Sequence, residues 1–513
     1  MTKSITISPL TRIEGHLSLR VETEPLQPGA NISKSARVKA AYCEGEMFRG
    51  LEQILEGRDP LDAQQITQRV CGVCPVSHGI ASVRAQEMAY GITPNHNGRL
   101  LQNLILAANY LHSHVLHFYH LAALDFVDVK AILKYSGSDR LLRSLKSWIE
   151  TSVARGDVFP AAPFLPRYEG NYIQDIDTNV ALLSHYVEAL EIRKLCDTMG
   201  AVFGARLPHT TSLVPGGCTQ VPTMERILAY GSRLKQVMSF IRDVYLPDLV
   251  QVAKAFPDYF ELGRGCGNFL SFGVFQMDDT GNKFIHPGVL IDGKWEALSP
   301  DLIEEQVAHS RFSSSLARHP SVGETKPEPT KSGAYSWIKS PRYAGRVMEV
   351  GPLARVLVNY HDPKCDWVKK EVDTILAPLK LPVGKMVSVL GRHLCRGLES
   401  LWIGQQAQLW LDELEVDAPP ARDFSIPRSA SGYGLTEAPR GALGHWLAIE
   451  DYRIKRYQCV VPTTWNCSPR DDRGQPGAVE QAIAGVVLEN PSQPIEVGRI
   501  VRSFDPCIAC AVH

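Results

Sequence analysis

The sequence predicts a mainly α-helical α+β protein with small β parts. Three observations indicate this class: helical apolar spacing through the middle of the chain, period-two runs near the N-terminus, and a segment rich in Gly, Pro and Ser from about 257 to 345. With 513 residues, 44% of them hydrophobic, the chain can bury a sizeable core. No internal repeat or low-complexity tract divides it, so we expect a single cooperative unit.

Four approximate parts are expected within this unit. They are an N-terminal β region (1–45), a helical core (46–256), an excursion of short strands and loops (257–345), and a final part (346–513) with helices and a metal-binding tail. The boundaries follow the changes between helical and strand-like apolar spacing.

Strands are predicted first along the chain. Residues 5–8 alternate in polarity, and a second strand follows with period-two residues at Leu19, Val21 and Thr23. Residues 38–42 are expected to complete a small antiparallel sheet. Within the excursion we expect short strands and an exposed loop, at 272–275, 288–291 and 326–331.

Helices are predicted from the apolar spacing that begins near Met47. From there to Ala89 the spacing is helical, and Met47, Leu51, Ile54 and Leu55 share one face. The tail from about 420 is expected to contain short strands and turns. Five longer helices are predicted, at 97–126, 179–204, 224–256, 364–378 and 385–416.

Composition excludes several classes of protein. The formal net charge is −1, so no basic field favours nucleic acid. The first residues lack the charged-then-apolar pattern of a signal peptide, and no uninterrupted apolar run reaches the ~20 residues that span a bilayer. We therefore expect a soluble protein without an export signal of its own.

Two Cys-x-x-Cys pairs near opposite ends of the chain carry the strongest chemical signal. They are Cys71 with Cys74 and Cys507 with Cys510. Both sulfurs of such a pair can face one point, and four thiolates complete a metal-binding set. Zinc ribbons separate their pairs by about 15–20 residues, whereas more than four hundred residues intervene here. This separation favours a catalytic centre that joins the two ends of the fold; a structural zinc site is the alternative.

The other eight cysteines do not suggest a disulfide framework in a chain of this length. We interpret them as small buried hydrophobic residues. They are Cys43, Cys196, Cys218, Cys266, Cys365, Cys395, Cys459 and Cys467.

Seven motifs, in order along the chain, resemble the large catalytic subunit of nickel–iron hydrogenases of the uptake or respiratory type. They include both cysteine pairs and extend over essentially the whole sequence, and they imply the large helical body of that family. The motifs are RIEGH at 12–16, MFRGLE at 47–52, RVCGVC at 69–74, HFYHL at 117–121, APRGALGH at 438–445, VPTTWN at 461–466 and SFDPC at 503–507.

The resemblance implies reversible heterolytic cleavage of H2 to protons and electrons, chiefly as H2 oxidation. It implies that Cys71 and Cys507 are terminal nickel ligands, and that Cys74 and Cys510 bridge nickel to an iron that carries carbon monoxide and cyanide. Soft thiolates suit both metals.

Two further residues are implied to act beside the sulfurs. Glu14 would be the first proton acceptor beyond Cys507, a role that needs a carboxylate within hydrogen-bond reach; a carboxylate that caps a turn is the alternative. His78 follows Cys74 by four residues, on the same face of a helix. It is expected to donate a hydrogen bond to the bridging sulfur; a core histidine is the alternative.

The resemblance also assigns contacts to the diatomic ligands. Arg440 would overhang the centre and contact one cyanide, because a guanidinium is a fixed cation with several donors. Asp505 would pair with Arg440, although Asp is also common in turns. Thr463, next to Pro462, would place its hydroxyl at the other cyanide.

The predicted helix 97–126 shows one departure from the family pattern. Many members have Asp where this chain has Ser113, which resembles the selenium-containing branch, yet the selenocysteine position is Cys507. His114, His117 and His120 share one face of the same helix. We interpret this stripe as packing and hydrogen bonding rather than metal binding.

A second ion is implied deep in the fold. Glu52, His513 and the carbonyl of Cys459 resemble the ligands of a magnesium or similar divalent ion. Oxygen donors suit magnesium.

Electron transfer implies a partner. With four cysteines at the centre, none remains in the spacing of iron–sulfur ligands, so the family's iron–sulfur small subunit is implied, in a heterodimer or a dimer of heterodimers.

Co-export with the small subunit implies a periplasmic or membrane-associated location, with membrane contact only through partners; a cytoplasmic location is the alternative. An H2-sensing regulatory hydrogenase remains open. So does a non-catalytic respiratory-complex relative, although such subunits lack the four cysteines.

Overall fold

Long helices and six small β-sheets form the part of the chain that the structure, a computed structural model, describes: residues 2–27, 31–155, 168–313 and 318–513. The predicted mainly helical α+β class is confirmed. The α-helices are α1 Leu51–Leu55, α2 Asp62–Thr67, α3 Pro75–Tyr90, α4 His96–Leu116, α5 Arg140–Arg155, α6 Ile176–Gly204, α7 Met224–Phe240, α8 Leu246–Ala255, α9 Pro352–His361, α10 Asp366–Leu376, α11 Val389–Asp412, α12 Pro462–Asn466, α13 Ala478–Ile483, α14 Ile495–Ser503 and α15 Ile508–Ala511.

The strands are short apart from two groups, one at the N-terminus and one near residue 440. They are β1 Lys3–Ile7, β2 Leu17–Glu24, β3 Ala36–Gly45, β4 Leu213–Val214, β5 Gly217–Cys218, β6 Phe269–Ser271, β7 Val274–Gln276, β8 Lys283–Ile285, β9 Gly288–Ile291, β10 Lys294–Glu296, β11 Ile303–Gln306, β12 Ser340–Tyr343, β13 Ala430–Ala438, β14 Gly441–Glu450, β15 Arg453–Val460 and β16 Val487–Leu488.

The N-terminal sheet has the order β1-β2-β3-β16, with antiparallel neighbours throughout. In β2, buried and half-buried residues alternate, which is why period two identified this strand. Leu19 pairs with Cys43. The fourth strand, β16, was not predicted, because two residues carry no periodic signal.

The helical body is centred on α4, which packs against α6 and α11. Almost every residue of α4 is buried. Its start is fixed by Asn95, whose side chain accepts a hydrogen bond from the Gly98 amide at 2.7 Å, a favourable N-cap. A π-helical turn, His117–Ala122, follows the end of α4. The predicted helices at 179–204, 364–378 and 385–416 exist near their predicted bounds. Those at 97–126 and 224–256 are interrupted by π-helical turns at His117–Ala122 and Ile241–Tyr245.

The prediction of one helical stretch from Met47 to Ala89 is wrong in part. Three separate helices, α1 to α3, occupy this region. Met47 lies outside them with φ 71 and is 64% exposed, and Ile54 is 44% exposed. Pro60 and Pro75 stand at the breaks between the helices, where proline interrupts the hydrogen-bond ladder.

The C-terminal tail is more regular than predicted. Instead of short strands, β13, β14 and β15 form an antiparallel meander of 8 to 10 residues per strand. Nearly all of β14 is buried, so the polarity alternation that reveals a half-exposed strand is absent. Helices α9 and α12 to α15 were also not predicted, and most of them are too short to show a helical period.

One hydrophobic cluster runs through the described chain from Ile7 to Val512. Seven of the eight single cysteines are buried as predicted, whereas Cys266 is only half-buried because it lies in a Gly-rich loop. None of the helices in the described ranges combines the length and apolar composition needed to cross a bilayer.

Candidate metal centre

The two cysteine pairs meet in the interior. The sulfur of Cys71 lies 3.3 Å from that of Cys507, and the sulfur of Cys74 lies 3.4 Å from that of Cys510. All four side chains are buried, and their sulfurs lie within 4.8 Å of one another. The predicted junction between the two ends of the chain is therefore present in the fold.

Local geometry directs each pair inward. Cys71 and Cys74 occupy the turn before α3, and the amides of Val73 and Cys74 donate to the Cys71 sulfur at 3.2 and 3.4 Å. Cys507 caps α15, which carries Cys510 one turn later. Because amide dipoles face the Cys71 sulfur, the turn favours a thiolate there.

Glu14 contacts the C-terminal pair directly. The Cys507 thiol donates to the Glu14 carboxylate at 2.9 Å, and the Ala509 amide donates to the same oxygen at 3.2 Å. Gly15, with φ 81, permits this approach, because a Cβ there would lie 2.6 Å from the Ala509 nitrogen. Burial, and then the charge of Cys71, raise the pKa of the Glu14 carboxyl. This shift brings the pKa of the Glu14 carboxyl closer to the pKa of a thiol donor.

Arg440 is fully buried at the two-residue turn between β13 and β14. Its Nη2 lies 2.9 Å from Oδ1 of Asp505, the predicted partner. Burial opposes its charge, but Asp505, and then the neighbouring cysteine sulfurs, hold the pKa of Arg440 above its usual value. Gly441 allows the turn to approach Gly351, whose nitrogen would lie 2.7 Å from a Cβ at position 441.

The guanidinium of Arg440 is available for further ligands. Among the described residues, none of its three nitrogens makes a hydrogen bond of good geometry. The two carboxylate oxygens of Asp505 also lack such a hydrogen bond. Buried polar atoms of this kind normally have a partner. The donors therefore fit a small polar group at the thiol cluster.

Thr463 lies beside Cys507, in the short helix α12 that begins with Pro462. Its hydroxyl oxygen accepts from the Cys507 amide at 2.9 Å. The hydroxyl hydrogen remains for another acceptor, because an O–H group donates once and accepts twice.

His78 begins a buried chain of three polar side chains. Its Nδ1 lies 3.1 Å from Nε2 of His445, and Nδ1 of His445 lies 2.8 Å from the Tyr457 hydroxyl. Among the described residues, His78 makes no hydrogen bond to a cysteine sulfur, so the expected bond to the bridging sulfur stays a prediction. His445 and Tyr457 were not identified from the sequence; His445 stands in a recognised motif, but spacing does not show that it contacts His78.

A second cluster joins Glu52, His513 and Cys459. The Cys459 amide donates to Oε1 of Glu52 at 2.7 Å, and Nε2 of His513 lies 3.1 Å from the same oxygen. The ammonium of Lys339 lies 3.3 Å from Oε2. Burial opposes the charge of Glu52, yet Lys339 and His513 hold its pKa well below the usual value.

Lys339 was not predicted, and no local pattern marks it. Its Nζ donates to Glu305, Thr325 and Gln458 at 3.1 to 3.4 Å. The surroundings are thus rich in oxygen donors, which are the ligands that magnesium prefers.

The predicted histidine stripe runs from α4 into the π-helical turn that follows it, and its side chains make ordinary hydrogen bonds. His114 contacts Glu399, and His117 and His120 contact the main-chain oxygens of Arg502 and Tyr186. Ser113 is fully buried, and its hydroxyl has no hydrogen-bond partner within the described residues. Within the described residues, none of these histidines belongs to a cluster of side chains that could hold a metal ion.

Comparison with known proteins gives the family. A model of the family described as nickel-dependent hydrogenase matches residues 49–513. The periplasmic NiFeSe hydrogenase large subunit of Desulfomicrobium baculatum is 43% identical, with 99% of this chain and 94% of that protein covered. The uptake hydrogenase large subunit of Bradyrhizobium diazoefficiens is 36% identical, with 100% and 95% covered.

Solved structures show the same fold. The H2-activated, anaerobically purified NiFeSe hydrogenase of Dm. baculatum has a TM-score of 0.87 at 43% identity, with 100% of both chains covered. The Ni-Fe-Se hydrogenase of D. vulgaris Hildenborough in the reduced state has a TM-score of 0.87 at 39% identity, also with 100% of both chains covered.

Proposed function

The chain belongs to the nickel-dependent hydrogenases, and from that premise we propose how its residues take part in the reaction. It is a hydrogenase large subunit, an oxidoreductase that acts on H2. We propose H2 oxidation as its main direction and the four-cysteine cluster as its nickel–iron centre. The observation that carries this assignment is the meeting of four buried thiols from both ends of the chain.

Each cysteine has a proposed place in the centre. Cys71 and Cys507 would hold nickel, and Cys74 and Cys510 would hold nickel together with iron. Soft thiolates favour these metals. The bound group would supply the two-electron chemistry on H2. Each H2 consumed then yields two protons and two electrons, which the protein must remove separately.

Proton removal is assigned to Cys507 and Glu14. The sulfur of Cys507 takes the first proton and passes it to the carboxylate of Glu14, 2.9 Å away. The transfer needs no rearrangement, because the two atoms are already within hydrogen-bond distance.

Arg440, Asp505, Pro462, Thr463 and His78 surround the centre. We propose that iron carries carbon monoxide and cyanide, that Arg440 and Thr463 donate hydrogen bonds to the cyanides, and that Asp505 holds Arg440 in place. His78 supports the bridging sulfur. The unpartnered nitrogens of Arg440 support this assignment.

A divalent ion, magnesium or similar, is proposed at Glu52, His513 and the carbonyl of Cys459. It would pin the C-terminal residue beside α1. The oxygen-rich surroundings of Glu52 support the choice of a hard cation.

Electrons leave through a partner, and the large-subunit relatives imply a small subunit in a heterodimer. We propose that the partner carries iron–sulfur clusters, since the described residues show no second group of clustered cysteines. It would dock on the surface above the centre, where Met47, Arg49, Arg69 and Gly72 are exposed. One relative is periplasmic by name, so we propose a periplasmic or membrane-associated location, with cytoplasm as the alternative.

Metal analysis of the purified complex tests the assignment. We expect one nickel per chain, together with infrared bands of carbon monoxide and cyanide. Cys507→Ser should lose nickel and hydrogen turnover, because serine is a harder and more basic ligand. Cys218→Ser is the matched control: that thiol is buried and donates to the Phe203 carbonyl at 3.4 Å, a contact that serine can make. Zinc alone in the wild type, or normal nickel in Cys507→Ser, would refute the proposal.

A further inference from the structure

Arg49 touches both cysteine-bearing segments. Its Nη2 donates to the main-chain oxygens of Val70 and Ala509, each at 2.6 Å, and its Nη1 donates to that of Arg69 at 3.2 Å. Val70 immediately precedes Cys71, and Ala509 lies within the second pair. One guanidinium thus connects the backbone on either side of the metal centre.

This connection is unusual in the fold. Within the described residues, no other side chain hydrogen-bonds to the backbone of both segments. Asn109 reaches only the first segment, and Glu14 and Thr463 reach only the second. Among the described residues, the other hydrogen-bond contacts between the two segments are those among the four thiols, which a bound metal would also engage.

The acceptors of Arg49 are carbonyl groups and not carboxylates. No acidic side chain of the described residues lies within 4.0 Å of its guanidinium. A charged donor strengthens a hydrogen bond to a carbonyl, and a planar fork holds acceptors at fixed positions. Arg49 is therefore suited to set the distance between two segments.

In the separate chain, exposure to water weakens the three hydrogen bonds of the Arg49 guanidinium. Arg49 is exposed, as are its neighbours Met47, Arg69 and Gly72. Water competes for both the guanidinium and the carbonyls, and hydrogen bonds strengthen when water is excluded. A partner that covers this surface would make the same three bonds stronger.

We propose that Arg49 is a positioning residue that sets the spacing of the two cysteine segments and couples this spacing to docking of the partner subunit. The proposal deepens the proposed function and rests on it for the location of the docking surface. Arg49 acts through the backbone of the ligand segments and has no part in the chemical step. Docking thereby stabilises the geometry of the centre from which the partner subunit accepts electrons.

Arg49→Gln, Arg49→Lys and Arg58→Gln test the proposal. Arg58→Gln is the matched control, because it removes an exposed arginine whose Nε donates to one main-chain oxygen, that of Ile54 at 2.8 Å, and to neither cysteine segment. Amide hydrogen exchange is measured by mass spectrometry for peptides that cover 69–76 and 505–513. Each variant is measured as the full-length chain alone and as the heterodimer, and infrared spectra and nickel content are recorded on the heterodimer.

In the heterodimer we expect the two peptides of Arg49→Gln to exchange about tenfold faster than those of the wild type, the size of effect of one charged hydrogen bond. Arg49→Lys should be intermediate, since one ammonium can replace Nη2 but not both nitrogens. In the separate chain the difference should fall below about threefold. The carbon monoxide and cyanide bands should shift in Arg49→Gln and not in Arg58→Gln.

Equal exchange and equal bands in Arg49→Gln and the wild type would overturn the positioning role. Equal effects of Arg49→Gln and Arg58→Gln would show that the loss of any exposed arginine is sufficient, and would also overturn it. A difference of the same size in the separate chain would remove the coupling to docking. Failure of the proposed function is distinguishable, because a wild-type heterodimer that holds zinc and no nickel refutes that function whatever the exchange rates show.

Discussion

Glu14 is the proposed proton acceptor beside the four thiols, and it allows proton transfer to be tested separately from metal binding. Its carboxylate contacts the Cys507 sulfur and the Ala509 amide, but it is not among the proposed ligands. Its environment raises its pKa through burial and the neighbouring thiolate charge. A group in this position can exchange protons with the sulfur without disturbing the cluster.

Glu14→Gln should retain nickel, iron and the infrared bands. Glutamine keeps the shape but cannot accept and release a proton at neutral pH. Net H2 oxidation should fall by at least about a hundredfold, the lower end for a positioned acid–base group. Conversion of para- to ortho-hydrogen should persist, because it sends no proton to solvent. Oxidation at the wild-type rate would mean that protons leave by another route.

Arg440→Lys should retain the metals and lower turnover by about tenfold or more. Lysine keeps the charge but loses the planar fork, and a hydrogen bond to a charged group contributes about 1.5–3 kcal/mol. The cyanide bands should shift in the infrared spectrum. Arg342→Lys is the control, because Arg342 is also buried and pairs with Asp471 at 2.9 Å, away from the thiols. An unchanged rate and spectrum for Arg440→Lys would make Arg440 peripheral.

At the scale of elements, short local structures orient the site. The turn before α3 directs Cys71 and Cys74, α15 carries Cys510, and the β13–β14 turn holds Arg440. A second junction lies where α13 packs on β3. There, Glu480 accepts hydrogen bonds from the Cys43 amide and the Tyr335 hydroxyl, each at 2.9 Å. Its other oxygen has no partner in the described structure.

Glu480→Gln should change how stability depends on pH. Burial raises the pKa of Glu480 from 4.5 to about 7, so the folded state binds a proton more tightly than the unfolded state. The contribution of Glu480 to the free energy of unfolding is then largest below about pH 4.5. It is lost as the pH rises toward 7, by up to about 3 kcal/mol for 2.5 pH units. Glutamine removes this loss. Relative to the wild type, Glu480→Gln should therefore be more stable at pH 8 than at pH 5.

Denaturant unfolding at the two pH values measures the effect. Glu371→Gln, at an exposed position of α10, is the control and should leave the pH dependence unchanged. An identical pH dependence for Glu480→Gln and the wild type would show that Glu480 is ionised in the fold without cost.

At the scale of the whole molecule, the metal centre joins residues more than four hundred positions apart. The hydrophobic cluster from Ile7 to Val512 extends through all four predicted parts. We therefore propose that they unfold together. A ligand that binds only the folded state stabilises it, so the bound metals should stabilise the entire chain and not one part.

Calorimetry of the heterodimer before and after metal removal by a chelator under reducing conditions tests this proposal. We expect one large-subunit transition in both samples, several degrees lower after removal. The Cys507→Ser variant, treated in the same way, should shift by less, because it has no nickel to lose. Two separate large-subunit transitions, with only one of them sensitive to metal, would show that the chain is not a single cooperative unit.

The sequence by itself determined the fold class, the long helices, the N-terminal strands and the residues that gather at the centre. Cys71, Cys74, Cys507 and Cys510 could be found because each pair is a local motif of a rare residue type. Glu14 and Arg440 could be found because they stand in recognisable motifs. Apolar periodicity revealed the long helices, since burial repeats along a helix over many turns.

Only the tertiary structure decided what surrounds these residues. Arg49 meets Ala509 across 460 positions, and Lys339 meets Glu52 across 287. The contact between His78 and His445 spans 367. Such contacts leave no trace in spacing, because two residues that far apart meet only when the packing of all intervening elements is complete. The short and fully buried strands were missed for a related reason, since a strand without an exposed face has no alternation of polarity.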